Sequence, residues 1–139
     1  MSFERILVVE DDTVTRKLLQ SQLLADGYEV IAVASGVAGI NEAKVKPPEL
    51  MILDLSLVDE DPFKTTLDGF GVMEWLHRTL PRVDFPVIIH TAGGAPGFEQ
   101  RARAGGAWGV FNKSGHLREL LEGVRQALDE REAQGTLAK

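Results

Sequence analysis

A chain of 139 residues, 44% hydrophobic and 26% charged, has the composition of one soluble globular domain. It contains no Cys, which excludes a disulfide framework and a thiolate metal site, and its only histidines, His77, His90 and His116, are too scattered for zinc. The net charge of −6 and the lack of a Lys/Arg block argue against direct DNA binding, and no apolar run is long enough for membrane insertion, so the cytoplasm is the expected location.

Ile6-Leu7-Val8-Val9 is a β-branched apolar run and predicts a buried strand, ending on Glu10-Asp11-Asp12. Thr13 to Ala25 predicts a helix with Asp12 or Thr13 as N-cap. Val14, Leu18 and Ala25 share one face, which Leu19, Leu23 and Leu24 widen, so this helix is expected to be well buried. Asp26-Gly27 stops it, and Tyr28 to Ala34 reads as the second strand. Ser35 caps a second helix through Lys46, which Pro47-Pro48 ends. Leu50 to Leu53 is the third strand and ends on Asp54. After a long acidic loop, Gly69 to Arg78 is the third helix, with Val72, Leu76 and Leu80 at spacing of four.

Val87 to His90 is the fourth strand and ends on Thr91-Ala92. The glycine-rich stretch from Gly93 to Gly106 surrounds a short helical piece near Phe98 to Ala104. Trp108 to Phe111 is the fifth strand, followed by Asn112-Lys113. The last helix starts at Ser114 or Gly115 and carries an amphipathic stripe of Leu117, Leu120, Leu121, Val124 and Leu128. It is expected to end near residue 131, leaving no room for a DNA-binding domain, with residues 1–132 as the domain and 133–139 as a flexible tail. Strands alternating with helices predict an α/β fold built on a parallel sheet covered on both faces.

In such a sheet all strand ends meet at one edge. That edge collects Glu10 and Asp11, then Asp54, then Thr91, then Lys113. Three carboxylates close together repel one another, and a hard divalent cation such as Mg²⁺ removes the conflict. An ionised Asp54 could then act as a nucleophile toward phosphorus. Mg²⁺ and Lys113 would supply charge, and the Thr91 hydroxyl could donate to a phosphoryl oxygen. Taken singly, each residue is equally compatible with a turn, a cap or a surface charge.

The motifs ILVVEDD, GYEV, LMILDLSL, the DG that opens the third helix, IIHTA and GGAWGVFNK resemble the receiver domain of bacterial two-component response regulators, from Glu4 to about Glu130. The resemblance implies a flavodoxin-like fold with strand order 2-1-3-4-5. It implies that Asp54 is the phosphoacceptor, served by a sensor histidine kinase or phosphotransfer protein, with Mg²⁺ required. Asp11 would bind the metal directly and Glu10 through water; Asp54 and the Ser56 backbone carbonyl would complete the protein ligands. Asp12 falls one place beyond the acidic pair and reads as a helix N-terminal acid. Thr91 would reorient toward the phosphate and remodel the face built by the fourth helix, fifth strand and last helix. That face would meet an unknown downstream protein or a second copy in a homodimer. Activity would be limited to the domain's own phosphorylation and dephosphorylation.

Four features depart from the family pattern. The loop from residue 55 to 67 is longer than usual and carries Asp59, Glu60 and Asp61. Ser114 follows Lys113 where proline is usual, so a trans peptide is expected there. Val110 stands where many receivers carry a switch Tyr or Phe. The glycines from Gly93 to Gly97 predict a short or mobile fourth helix. These departures leave open a second reading, an interaction scaffold not regulated by phosphorylation. Enzymatic readings fit poorly. Glu10-Asp11-Asp12 would repel a flavin phosphate, and Ser56 stands where a haloacid-dehalogenase-type phosphatase wants a second acid.

Overall fold

Each apolar run of the sequence becomes a strand in the computed structural model, which describes residues 3–57, 68–80, 83–94 and 96–137. In chain order the elements are β1 (Arg5–Val9), α1 (Thr13–Ala25), β2 (Glu29–Val33), α2 (Gly36–Val45), β3 (Leu50–Leu53), α3 (Gly69–Thr79), β4 (Val87–Thr91), α4 (Phe98–Ala104), β5 (Ala107–Asn112) and α5 (Leu117–Leu137). The strands form one parallel sheet in the order β2-β1-β3-β4-β5.

Strand side chains alternate between the two faces with a period of two, and the sheet sorts its core accordingly. Ile6, Val8, Leu50, Ile52 and Ile88 pack on one face against Leu19 and Leu23 of α1 and Leu120 and Val124 of α5. Leu7, Val9, Met51, Leu53, Val87 and Ile89 pack on the other face against Ile40 of α2, Val72 and Leu76 of α3 and Ala102 of α4. Each fully buried aliphatic side chain contributes about 2 kcal/mol. The α5 stripe behaves as its spacing predicts: Leu120, Val124 and Leu128 are buried, and Leu117 and Leu121 pack at the margin.

Side chains fix three helix starts. Asp12 Oδ2 accepts from the Thr15 amide at 2.9 Å, so Asp12 rather than Thr13 is the N-cap of α1. Ser35 Oγ accepts from the Ala38 amide at 3.1 Å, and Asp68 Oδ1 from the Gly71 amide at 2.8 Å. Between them these caps set where the chain leaves the carboxyl edge of the sheet.

Two expectations about the helices need correction. α1 buries only Leu19 and Leu23; Val14 is 76% exposed, Leu18 48% and Leu24 53%. Periodicity shows which residues share a face, but the sheet and α5 accept only a narrow stripe of this one. α5 continues to Leu137, past the end expected near residue 131. The residues from Asp129 to Gln134 include Glu, Arg, Ala and Gln, all good helix formers, and no proline interrupts them. The α5 start is also later than expected, because Ser114 is held in a turn.

α4 is as short as its glycine-rich flanks predict, seven residues entered through Gly97 in the left-handed region (φ +86°). The acids Asp59, Glu60 and Asp61, and most of the long loop that carries them, lie outside the described residues. Among the described residues no helix is long and apolar enough to cross a membrane.

Candidate functional site

The parallel register builds the site at the carboxyl edge. Val8 pairs with Ile52, and Ile52 with Ile88. Two residues further on, the same row holds Glu10, Asp54 and His90. Their backbones continue from buried strands, so their side chains start from a fixed and dry floor. Glu10 and Asp54 are each only 2% exposed.

Carboxylates this deep need partners. Lys113, at the end of β5, provides one: its ammonium lies 2.6 Å from Glu10 Oε1 and 2.9 Å from Asp54 Oδ2. The second oxygen of each acid is held by backbone. Asp54 Oδ1 accepts from the Ser56 amide at 3.0 Å, and Glu10 Oε2 accepts from the Asp12 amide at 3.2 Å. Asp11 is half-buried beside them. Glu10, Asp11 and Asp54 offer ligand oxygens that all lie within 4.8 Å of one another.

Every site residue expected from the sequence therefore arrives at this edge, with different partners. Lys113 reaches both acids with Ser114 following it. Asn112 Oδ1 accepts from the Ser114 amide at 2.8 Å and the Ser114 hydroxyl at 2.7 Å, a local turn that fixes the chain on either side of Lys113. No cis peptide occurs among the described residues, so the expected trans bond is found. The Lys113 amide donates to the Thr91 carbonyl at 2.9 Å, tying the ends of β5 and β4 together. Thr91 is buried, and its hydroxyl donates to the Gly93 carbonyl at 3.3 Å. Ser56 is exposed on the first turn after β3. Val110 packs at the margin of the core beneath α3 and α4.

Two further residues shape the site beyond those expected from the sequence. Arg16 of α1 reaches back to donate to the carbonyls of Glu10 at 2.9 Å and Asp11 at 3.2 Å, pinning the loop that carries both acids. His90 is 8% exposed and stands in the acidic row. Its position two residues after Ile88 in an alternating strand was the available signal.

Burial pushes the Glu10 carboxyl up to about 7; the Lys113 hydrogen bond opposes this and the Asp54 charge adds to it. Burial draws Lys113 downward, but the hydrogen bonds to Glu10 and Asp54 outweigh it and hold the ammonium above its ordinary value. Burial, aided by the Lys113 charge, lowers His90 to about 4. The stability that comes from keeping His90 neutral is complete above the unfolded value of 6.5 and is lost as pH falls toward 4. That loss is on the order of 3 kcal/mol. Glu10, raised to about 7, contributes in the opposite direction over the same range, so urea unfolding from pH 7 to pH 4 should show the His90 part as the difference between wild type and His90→Leu. Wild type should lose stability relative to His90→Leu as pH falls through this range; parallel profiles would show that another group is responsible.

The comparisons with known proteins bear on this edge. The family model described as the response regulator receiver domain matches residues 6–125. The chain is 28% identical over 123 residues to the polar-differentiation response regulator DivK of Brucella ovis, covering 88% of this chain and 94% of that protein. Among solved structures it resembles a CheY-like response regulator receiver domain protein from Methanospirillum hungatei. That likeness has a TM-score of 0.83 and 27% identity and covers 96% and 99% of the two chains. It also resembles the receiver domain of a putative Luxo repressor protein from Vibrio parahaemolyticus, with a TM-score of 0.84, 25% identity and 99% of each chain covered.

Proposed function

Because the chain belongs to the response regulator receiver domain family, whose members signal rather than turn over a substrate, we propose that it accepts a phosphoryl group on Asp54 from a histidine kinase or phosphotransfer protein. The observation that carries this reading is the meeting of three carboxylates within 4.8 Å with one ammonium bridging two of them. In the reaction an Asp54 oxygen forms a bond to phosphorus. The phosphorus–nitrogen bond to the donor imidazole breaks, and its electron pair returns to that nitrogen. The product is an acyl phosphate.

The donor set fits Mg²⁺, which prefers carboxylate oxygens. Asp11, Asp54 and the Ser56 carbonyl would hold it directly and Glu10 through water. Bound there, Mg²⁺ would supply positive charge to the acids and to the phosphoryl oxygens. The chain's own groups do the rest. Asp54 Oδ1 is oriented by the Ser56 amide, so the acceptor is fixed before a donor arrives. Lys113 already contacts Asp54 and can follow charge onto a phosphoryl oxygen. The Thr91 hydroxyl, now on the Gly93 carbonyl, can turn to the phosphoryl group and carry the change into α4 and β5. We assign the α4-β5-α5 face to a downstream protein partner or a homodimer, and the cytoplasm as the place of action. The test is incubation with acetyl phosphate and Mg²⁺ followed by intact mass. One phosphoryl adduct is expected, and a chain that gains none with any small phosphodonor would overturn the reading.

The exposed part of α1 fits donor docking. Val14 and Leu18 lie one turn apart at the end of α1 nearest Asp11, both open to solvent. Replacing both with Asp should slow transfer from a kinase by about tenfold or more, the equivalent of about 1.4 kcal/mol of lost apolar contact. The rate with acetyl phosphate should stay at the wild-type value. Equal loss with both donors would show that the substitutions damage the site itself.

A further inference from the structure

His90 is unusual in this sheet. Its neighbours in the same face and row are Ile88, Phe111 and the site acids, and its Nδ1 is buried with no hydrogen-bond partner among the described residues. Buried polar atoms are nearly always paired, so an orphaned one calls for an explanation. An aliphatic side chain would fill the same position without that cost.

The sheet order supplies a reason. Lys113 follows β5, whereas Asp54 follows β3 and Glu10 follows β1, and β4 lies between β5 and β3. To place its ammonium 2.9 Å from Asp54 and 2.6 Å from Glu10, the Lys113 side chain must cross the carboxyl end of β4. It crosses on the α1 and α5 side, because Phe111, two residues before it, packs in that core and the two acids continue the Val8 and Ile52 positions. The β4 residue on that side level with Asp54 is His90, since Leu53 pairs with Ile89; its own partner on β5 is Phe111, two residues before Lys113. Thr91, the next residue, falls on the opposite face with Ile89. The charges of Lys113 and Asp54 both act on the imidazole.

We infer that His90 is a positioning residue for Lys113: its neutral imidazole underlies the lysine side chain and offers a polar group that steers the ammonium toward Asp54. The ring must be neutral, since a second cation there would drive Lys113 away. Lys113 donates to Glu10 and Asp54 and must redirect when phosphorus bonds to Asp54. An uncharged polar neighbour keeps it over the site during that change, where an apolar floor would not. This inference rests on the reading of Asp54 as phosphoacceptor.

The test is the rate of adduct formation from acetyl phosphate with Mg²⁺, by intact mass over time, alongside thermal unfolding at pH 7. Wild-type protein is measured first: if it forms no adduct, the phosphoacceptor reading fails and the His90 inference is not what failed. With wild-type protein active, His90→Leu should melt at or above the wild-type temperature yet react more slowly by about fivefold or more, the scale of a small misplacement of a reacting group. His90→Gln, which retains a neutral polar group, should recover most of that rate. A packing role alone would lower stability and rate together and would not be rescued by Gln. A loss smaller than about fivefold in the Leu variant, or a Gln variant no faster than Leu, overturns the inference. If the Leu variant does not fold, His90→Phe replaces it in the same comparison, with the same slow rate expected and the same outcomes overturning.

Discussion

Gly69→Ala is expected to lower stability by roughly 3 kcal/mol or more, a fall of about 10 °C in melting temperature. A Cβ at Gly69 would stand 2.4 Å from the Asp54 carbonyl oxygen and 2.6 Å from the Leu55 Cα. Both are backbone atoms, and neither can swing aside as a flexible side chain could. The reason is local and structural. The Gly69 amide donates to the Leu55 carbonyl at 3.2 Å, so the first turn of α3 is seated directly on the chain leaving β3. The Asp68 cap on the Gly71 amide fixes the same turn from the other side. The substitution must therefore push α3 away from the segment that carries Asp54 and Ser56, and phosphorylation should fall with stability. Thermal and urea unfolding check it. A melting temperature within about 2 °C of wild type would mean that α3 can shift freely, against this account of how the acceptor is held.

Lys113→Met should separate the charge balance of the site from its shape. The substitution keeps an unbranched apolar stem one atom shorter but leaves Glu10 Oε1 and Asp54 Oδ2 without their shared cation, in residues each 2% exposed. Breaking a fully buried pair from one side costs about 3–5 kcal/mol. The Lys113 side chain is 22% exposed, so the expected cost here is lower, about 2–3 kcal/mol. Saturating Mg²⁺ should restore part of it, and the rise in melting temperature on adding Mg²⁺ should be larger in the variant than in wild type. The phosphorylation rate should nevertheless fall by about 100-fold, because the donor that meets developing charge is gone. An equal Mg²⁺ response in both proteins would argue that the cation does not share the acids with Lys113.

These two positions also show how far the sequence could be read. Asp68-Gly69 was visible as a helix start, but the contact of Gly69 with the Asp54 backbone depends on how α3 sits against β3, which no local pattern encodes. Lys113 was visible because it ends an apolar run, and all such ends meet at one sheet edge. The same rule located Glu10, Asp11, Asp54 and Thr91. Burial of α1 was not readable, since Val14, Leu18 and Leu24 match the helical period as well as Leu19 and Leu23 do. What decides between them is the width of the groove offered by the sheet and α5. The turn at Ser114 was hidden for a related reason: Asn112 supplies it through its side chain, a two-residue contact that composition does not reveal. His90 was legible only once the strand register put it in the acidic row.

Asp54 as the phosphoryl acceptor is the premise from which the other roles at this edge follow, and one measurement addresses it most directly. The protein is treated with acetyl phosphate with and without Mg²⁺, the adduct is trapped by borohydride reduction, and the modified residue is identified by peptide mass spectrometry. The expected result is a single Mg²⁺-dependent modification at Asp54, absent from Asp54→Asn. An adduct located elsewhere, or one that persists in Asp54→Asn, would contradict it.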